Sequence, residues 1–234
     1  MNIRIKFRKY GAMKFISHLD VMRYFQKVIR RAQIDICFSE GFSPHMIMSF
    51  ASPLGVGLTS DAEYVDIRVN TAPSSAEAVR RMNGTMAEGM DVVSFRRLPE
   101  NSKNAMSIVA AADYEIRFRE GQEPGDGWQE RWKEFLSQPM ICIRKETKKG
   151  HQEVDILPWI YGWSVMEDGL FLQVSAGSVH NLKPELLLQA FGAWAGMEIP
   201  ASGLLVHRKE IYADQGTEEN RKLIPLERLG NDIG

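Results

Sequence analysis

The chain has 234 residues, of which 44% are hydrophobic and 25% charged, proportions ordinary for a globular protein; the length suits one large domain or two of about 100 residues each. No stretch reaches the roughly 20 apolar residues that a membrane-spanning helix needs, and two cysteines, Cys37 and Cys142, exclude a disulfide framework and fit a reducing compartment. The net charge of −1 hides an asymmetry: residues 1–50 hold nine Lys or Arg against three acids, so the rest carries −7, which sets an anion-facing patch on the first segment against a solvated helix face balanced in the fold.

The opening run alternates Ile3, Ile5 and Phe7 with Arg4, Lys6 and Arg8, a period of two that predicts a half-buried strand and not a signal peptide; the cytoplasm is the expected compartment. Ser17-His18-Leu19-Asp20 follows. Ser17 and Asp20 have the spacing of a helix cap, and an acid there suits the positive helix end. His18 is not needed for capping, and beside the positive helix end a neutral imidazole that accepts, donates or ligates is favoured. Val21, Met22, Phe25, Val28, Ile29 and Ala32 form one apolar stripe, with Arg23, Lys27, Arg30 and Arg31 off it. After the apolar run 34–38 comes Ser39-Glu40-Gly41-Phe42-Ser43-Pro44-His45. Gly41 permits a tight backbone and Pro44 disfavours helix at Ser43, so a shaped polar loop is expected, with Phe42 as its anchor and His45 at its end.

Residues 46–51 and 62–69 read as strands. Ser74 to Glu77 opens a second helix with Val79, Met82 and Met86 inward, and 92–97 is a further strand. The order then recurs. A strand over 114–119 precedes a helix bearing Trp128, Trp132, Phe135 and Leu136; a strand core at 141–143 precedes a hairpin that turns at Asp168-Gly169; Pro184 opens a helix with Leu187, Phe191 and Trp194; and 204–212 closes as a strand. Phe7-Arg8 and Phe118-Arg119, Ile36-Cys37 and Ile141-Cys142, and Phe95-Arg96 and His207-Arg208 are echoes at offsets of 111, 105 and 112. The expectation is an α+β protein made of tandem duplicated ferredoxin-like (βαββαβ) halves with antiparallel sheets. The boundaries are 1–98 for the N-terminal half, 99–112 for a linker, 113–213 for the C-terminal half and 214–234 for a polar tail. The tail is either disordered in part or docks a partner through Leu223-Ile224-Pro225-Leu226.

Several chemistries are excluded or weak. The two glycines in Ser52 to Gly57 do not make a dinucleotide fingerprint, and there is no Walker motif. Two distant cysteines cannot supply the three thiolates of a radical SAM cluster. A metal held by His18, His45 and Glu63 or Asp66 has no supporting spacing, so neither metal nor cofactor is expected. The run 146–151 reads as a basic hairpin tip, solvated or in contact with phosphate.

On Lys14 to Arg23, Arg30-Arg31-Ala32, Ser39 to His45, Ser49-Phe50-Ala51 and Ala62-Glu63-Tyr64, with Lys148-Lys149-Gly150, Glu153 to Ile156 and His207 to Glu210 in the second half, the chain resembles the radical SAM-linked family, a domain of unknown function. It departs at Met46-Ile47-Met48, where that family more often has Pro-Lys, and so lacks a loop cation. The resemblance implies a radical SAM partner protein, fused or encoded alongside, and a setting in RNA processing. The tandem layout is also similar to the CRISPR repeat-processing endoribonucleases, at the level of fold alone. The expected function is a non-catalytic accessory that binds or presents RNA, with Arg23, Lys27, Arg30 and Arg31 on phosphates and Ser17, Asp20, Ser39, Gly41, Phe42 and Ser43 completing the substrate surface. Two alternatives stand beside it: a metal-independent endoribonuclease using His18 with His45 as acid and base, and a pure protein-docking scaffold.

Overall fold

The computed structural model describes residues 1–147 and 150–234, and of residues 145–151 the backbone at most. The basic tip 146–151 therefore lies outside the described side chains. The chain divides into two compact units, Met1–Ala111 with Arg208–Gly234, and Ala112–His207.

The first unit contains β1 (Asn2–Lys9), α1 (His18–Arg31), β2 (Met48–Phe50), β3 (Thr59–Arg68), α2 (Ser75–Asn83), β4 (Met90–Arg97) and α3 (Ala105–Ile108). β5 (Val109–Phe118) leads into the second unit, which continues with α4 (Trp128–Leu136), β6 (Cys142–Thr147), β7 (Gly150–Asp155), β8 (Ile160–Met166), β9 (Gly169–Ser175) and α5 (Pro184–Ala195). β10 (Leu204–Asp214) returns to the first unit, where β11 (Leu223–Pro225) ends the strands.

In the first unit β1 lies between β3 and β4, antiparallel to both; β2 pairs with β3, and β11 with β10, which is the other neighbour of β3. In the second unit β9 lies between β5 and β8, with β6 and β7 as a separate hairpin. Both units thus follow the βαββαβ order of an antiparallel α+β fold, the second with a hairpin inserted after its first helix. The stripe on α1 buries Val21, Phe25, Val28 and Ile29 against Ile3, Ile5 and Phe7 of β1 and Val65, Ile67 and Phe95 of its neighbours. Each such side chain withdrawn from water contributes about 1.5–3 kcal/mol. In the second unit Trp132, Phe135 and Phe191 fill the core, the Trp132 and Phe191 rings 5.1 Å apart and edge-on.

The structure bears on three expectations. β1 is not half-buried: Arg4 is 1% exposed, like the isoleucines beside it, because chain from beyond residue 200 covers its polar face. The linker 99–112 is structured, since it holds α3 and the start of β5. The tail folds on its own unit: β11 pairs with β10, Leu226 is fully buried, Asn231 bridges Arg97, and the Ile233 N–H donates to the Ser75 hydroxyl at 2.8 Å. Among the described residues no helix is long and apolar enough to cross a membrane.

Candidate functional site

Ser17 is the N-cap of α1. Its hydroxyl accepts the Asp20 N–H at 3.3 Å and donates to the Asp20 carboxylate at 2.6 Å. That hydroxyl bond is the main cause that holds the Asp20 carboxyl below its ordinary range. Both side chains are thus engaged in starting the helix, the use that their spacing also allowed.

His18 points inward. Its ring meets Phe50 edge-on at 5.2 Å, in a hollow lined also by Lys9, Val21, Ser52 and Glu63. The cavity is about 10 Å3, at the lower limit for one water. Lys9 is 2% exposed and donates from Nζ to the Ile16 carbonyl at 3.2 Å. Burial lowers its pKa from the ordinary lysine value, Glu63 partly opposes this, and Arg208 adds to it. The Glu63 carboxylate is held by Arg208, whose Nε donates at 3.0 Å and whose other arm reaches the Ser52 carbonyl at 2.7 Å. Asp66 is likewise held by Arg4, at 2.8 and 2.9 Å. Both carboxylates once weighed as metal ligands therefore already neutralise an arginine.

The loop 39–45 is closed at its neck by the Phe38–Met46 bridge and by the Ser39 N–H on the His45 carbonyl at 2.8 Å. The Ser39 hydroxyl lies 2.8 Å from His45 Nδ1 and accepts the His45 N–H at 3.1 Å. Gly41 takes φ +106, a left-handed value that only glycine adopts without strain. Phe42 is no anchor: it is 111% exposed, with Glu40, Ser43, Pro44 and His45 exposed around it. Its neighbours are too short or too polar to bury a ring, and the tight turn throws it outward.

Arg23, Lys27, Arg30 and Arg31 all lie exposed on the face of α1 opposite its buried stripe. Only Arg23 has a carboxylate within 4 Å among the described residues, Asp20 at 3.7 Å. The structure thus gathers the four cations on one ridge and joins Ser39 to His45. It places His18 in a hollow whose lining includes no residue of 39–45.

Sequence reasoning missed the buried polar groups of β1 and its neighbours. Lys6 Nζ donates to Glu210 at 2.7 Å and Glu227 at 3.0 Å, and the Tyr64 hydroxyl donates to Glu210 at 2.6 Å. Burial, then the Glu210 charge, pushes the Tyr64 pKa far up. Nothing in Lys6 or Tyr64 alone signals this, because the acids come from residues 210 and 227.

Antiparallel sheets and helices in βαββαβ order define an α+β protein of ferredoxin-like layout. A protein-family model described as "Uncharacterized protein conserved in bacteria (DUF2344)" matches residues 2–184, and the chain belongs to that family. No curated protein matches it. Among solved structures it is similar to one chain of a structure titled "Crystal Structure of a Cbf5-Nop10-Gar1 Complex", with 14% identity and a TM-score of 0.48 over 89% of this chain and 48% of that one. The chain therefore spans about half the length of that neighbour.

Proposed function

We propose that this protein is a non-catalytic accessory of a radical SAM enzyme that binds an RNA substrate, tRNA or rRNA, through the cationic ridge of α1. The observation that carries the reading is the ridge itself. Arg23, Lys27, Arg30 and Arg31 stand exposed on one helix face, and three of them have no carboxylate within 4 Å among the described residues. Such a stripe attracts phosphates without reading sequence, by releasing counterions. The size of the His18 hollow, about 10 Å3, favours this over an endoribonuclease, since general acid–base catalysis needs the imidazole within hydrogen-bond reach of the reacting phosphate. The radical SAM partner is supported by the likeness of residues 17–45 to the radical SAM-linked family. The cytoplasmic setting is supported by two cysteines left as thiols. Protein docking is favoured as a second reading by Phe42, an aromatic ring standing clear of a closed loop.

Fluorescence anisotropy with tRNA across a salt series tests the proposal. Binding should weaken steeply with salt. Changing Arg23, Lys27, Arg30 and Arg31 to Gln should lower affinity and flatten the slope by about one unit per lost phosphate contact. Equal binding by parent and variant rejects the ridge. Co-purification with the radical SAM protein after nuclease treatment, abolished by Phe42→Ala, supports the docking reading instead.

A further inference from the structure

Away from α1, two adjoining hollows open in the first unit where β2, β3 and the segment 98–104 meet. The inner one, about 240 Å3, has an apolar floor that includes Met48, Ile67 and Leu98, with Asn2, Ser49 and Asn104 among its polar lining. The outer one, about 540 Å3, shares Asn2, Arg68 and Leu98 with it. Together they fall in the range of small-molecule sites, about 300–1,000 Å3, and their lining is mostly polar and charged, with Ile47, Met48, Ile67 and Leu98 as the apolar part of the inner one.

The charges around them are unbalanced. Arg68 and Lys103 line the inner hollow, Arg68, Arg97 and Glu100 the outer. Asp66 also lines the inner one, but both its oxygens are taken by Arg4 and it accepts the Ala105 N–H at 2.8 Å. Glu100 is therefore the one acid set against three cations, a side-chain net of +2. Among the described residues, the Arg68 side chain reaches only Asn2, at 3.5 Å, and the Arg97 and Lys103 head groups meet no hydrogen-bond partner. Like charges grouped without a counterion repel, and a bound anion relieves this. Asn104 accepts with its side-chain oxygen from the Met106 N–H at 2.9 Å and the Ser49 hydroxyl at 3.3 Å, and its amide donors have no partner among the described residues.

We propose that these hollows bind a free nucleoside monophosphate. Arg68, Arg97 and Lys103 hold the phosphate, and the base lies on Met48, Ile67 and Leu98 with its polar edge against Asn2, Ser49 and Asn104. The phosphate group, at about −1.5 to −2 near pH 7, matches the excess of positive charge. No residue of α1 lines either hollow, so this site does not rest on the RNA-binding ridge.

Isothermal titration of the full chain with AMP, GMP, CMP and UMP, and with adenosine and inorganic phosphate as controls, tests it. At least one nucleotide should bind more tightly than either control. The triple variant Arg68→Gln, Arg97→Gln, Lys103→Gln, whose sites are exposed and whose melting temperature checks its fold, should lose at least tenfold in affinity. Arg30→Gln with Arg31→Gln should change nucleotide binding by less than twofold while weakening RNA. No heat with any nucleotide, full affinity in the triple variant, or phosphate binding as tightly as the nucleotides overturns the proposal.

Discussion

The two faces of the first unit's sheet bury alternate residues of the same strands by opposite means. On the helix side Ile3, Ile5 and Phe7 meet Val65, Ile67, Phe25 and Phe95, and all are 3% exposed or less. On the other side Arg4 and Lys6 meet Asp66, Tyr64, Glu210 and Glu227, under cover of Leu226 and Ala105. The first face needs only shape and area. The second needs every charge matched, because a buried ion left alone costs several kcal/mol, while a matched pair offers little more than an apolar pair of the same volume.

The contrast is broken most sharply by two truncations. Phe25→Ala, in a ring cluster with Phe7 at 4.5 Å and Phe50 at 5.6 Å, should cost about 3–5 kcal/mol. Arg4→Ala should cost about as much, 3–5 kcal/mol, because Asp66 is left without its partner. The difference is in rescue. Arg4→Met combined with Asp66→Leu should recover most of the loss, whereas no truncation of Phe7 or Phe50 should rescue Phe25→Ala. Urea unfolding measures both. A double variant as unstable as Arg4→Ala would show that the polar face is held by something other than its charge pairing.

A smaller effect comes from Tyr64→Phe, which removes one buried hydroxyl from Glu210 and should cost about 1–2 kcal/mol at neutral pH. Its pH signature is distinctive. The folded Tyr64 pKa lies above the ordinary value of 10, so above about pH 10 the unfolded chain loses this proton first and stability falls as pH rises. Glu227 gives the opposite slope. Burial raises its pKa, but the bonds from Lys6 and Ser94 with the nearby Arg96 charge outweigh this and leave it below 4.5. Its contribution is present above that value and is lost as pH falls through the folded pKa. Tyr64→Phe should flatten the alkaline limb and leave the acid limb in place. An alkaline limb unchanged in the variant would remove Tyr64 as its source.

This division also explains what the sequence could reveal. The element order, the stripe of α1 and both cap spacings were legible, because each depends on residues within four positions of one another. The burial of Arg4 and Lys6 was not: alternation marks a strand but does not say which side is wet, and the covering acids lie some 200 residues away. The loop 39–45 was legible as a turn, while the exposure of Phe42 was not, since an aromatic residue in a turn reads as an anchor. The four α1 cations were readable by their spacing off the apolar stripe. The placing of Arg68, Arg97 and Lys103 around two hollows that share Arg68 was not, because the hollows form only once β3, β4 and the following segment are in place.

The mildest test concerns Ser17, which the sequence offered as a substrate contact and the structure uses as a cap. Ser17→Ala removes the acceptor for the Asp20 N–H and should cost about 1 kcal/mol. The loss is well below that of Arg4→Ala because the site is half open, and water replaces the missing hydroxyl where it cannot reach Asp66. If Ser17 serves only the helix, its variant should melt earlier yet bind tRNA with the salt slope of the parent. A binding loss at unchanged stability would instead return Ser17 to the substrate surface and extend the RNA contact from the ridge to the first turn of α1.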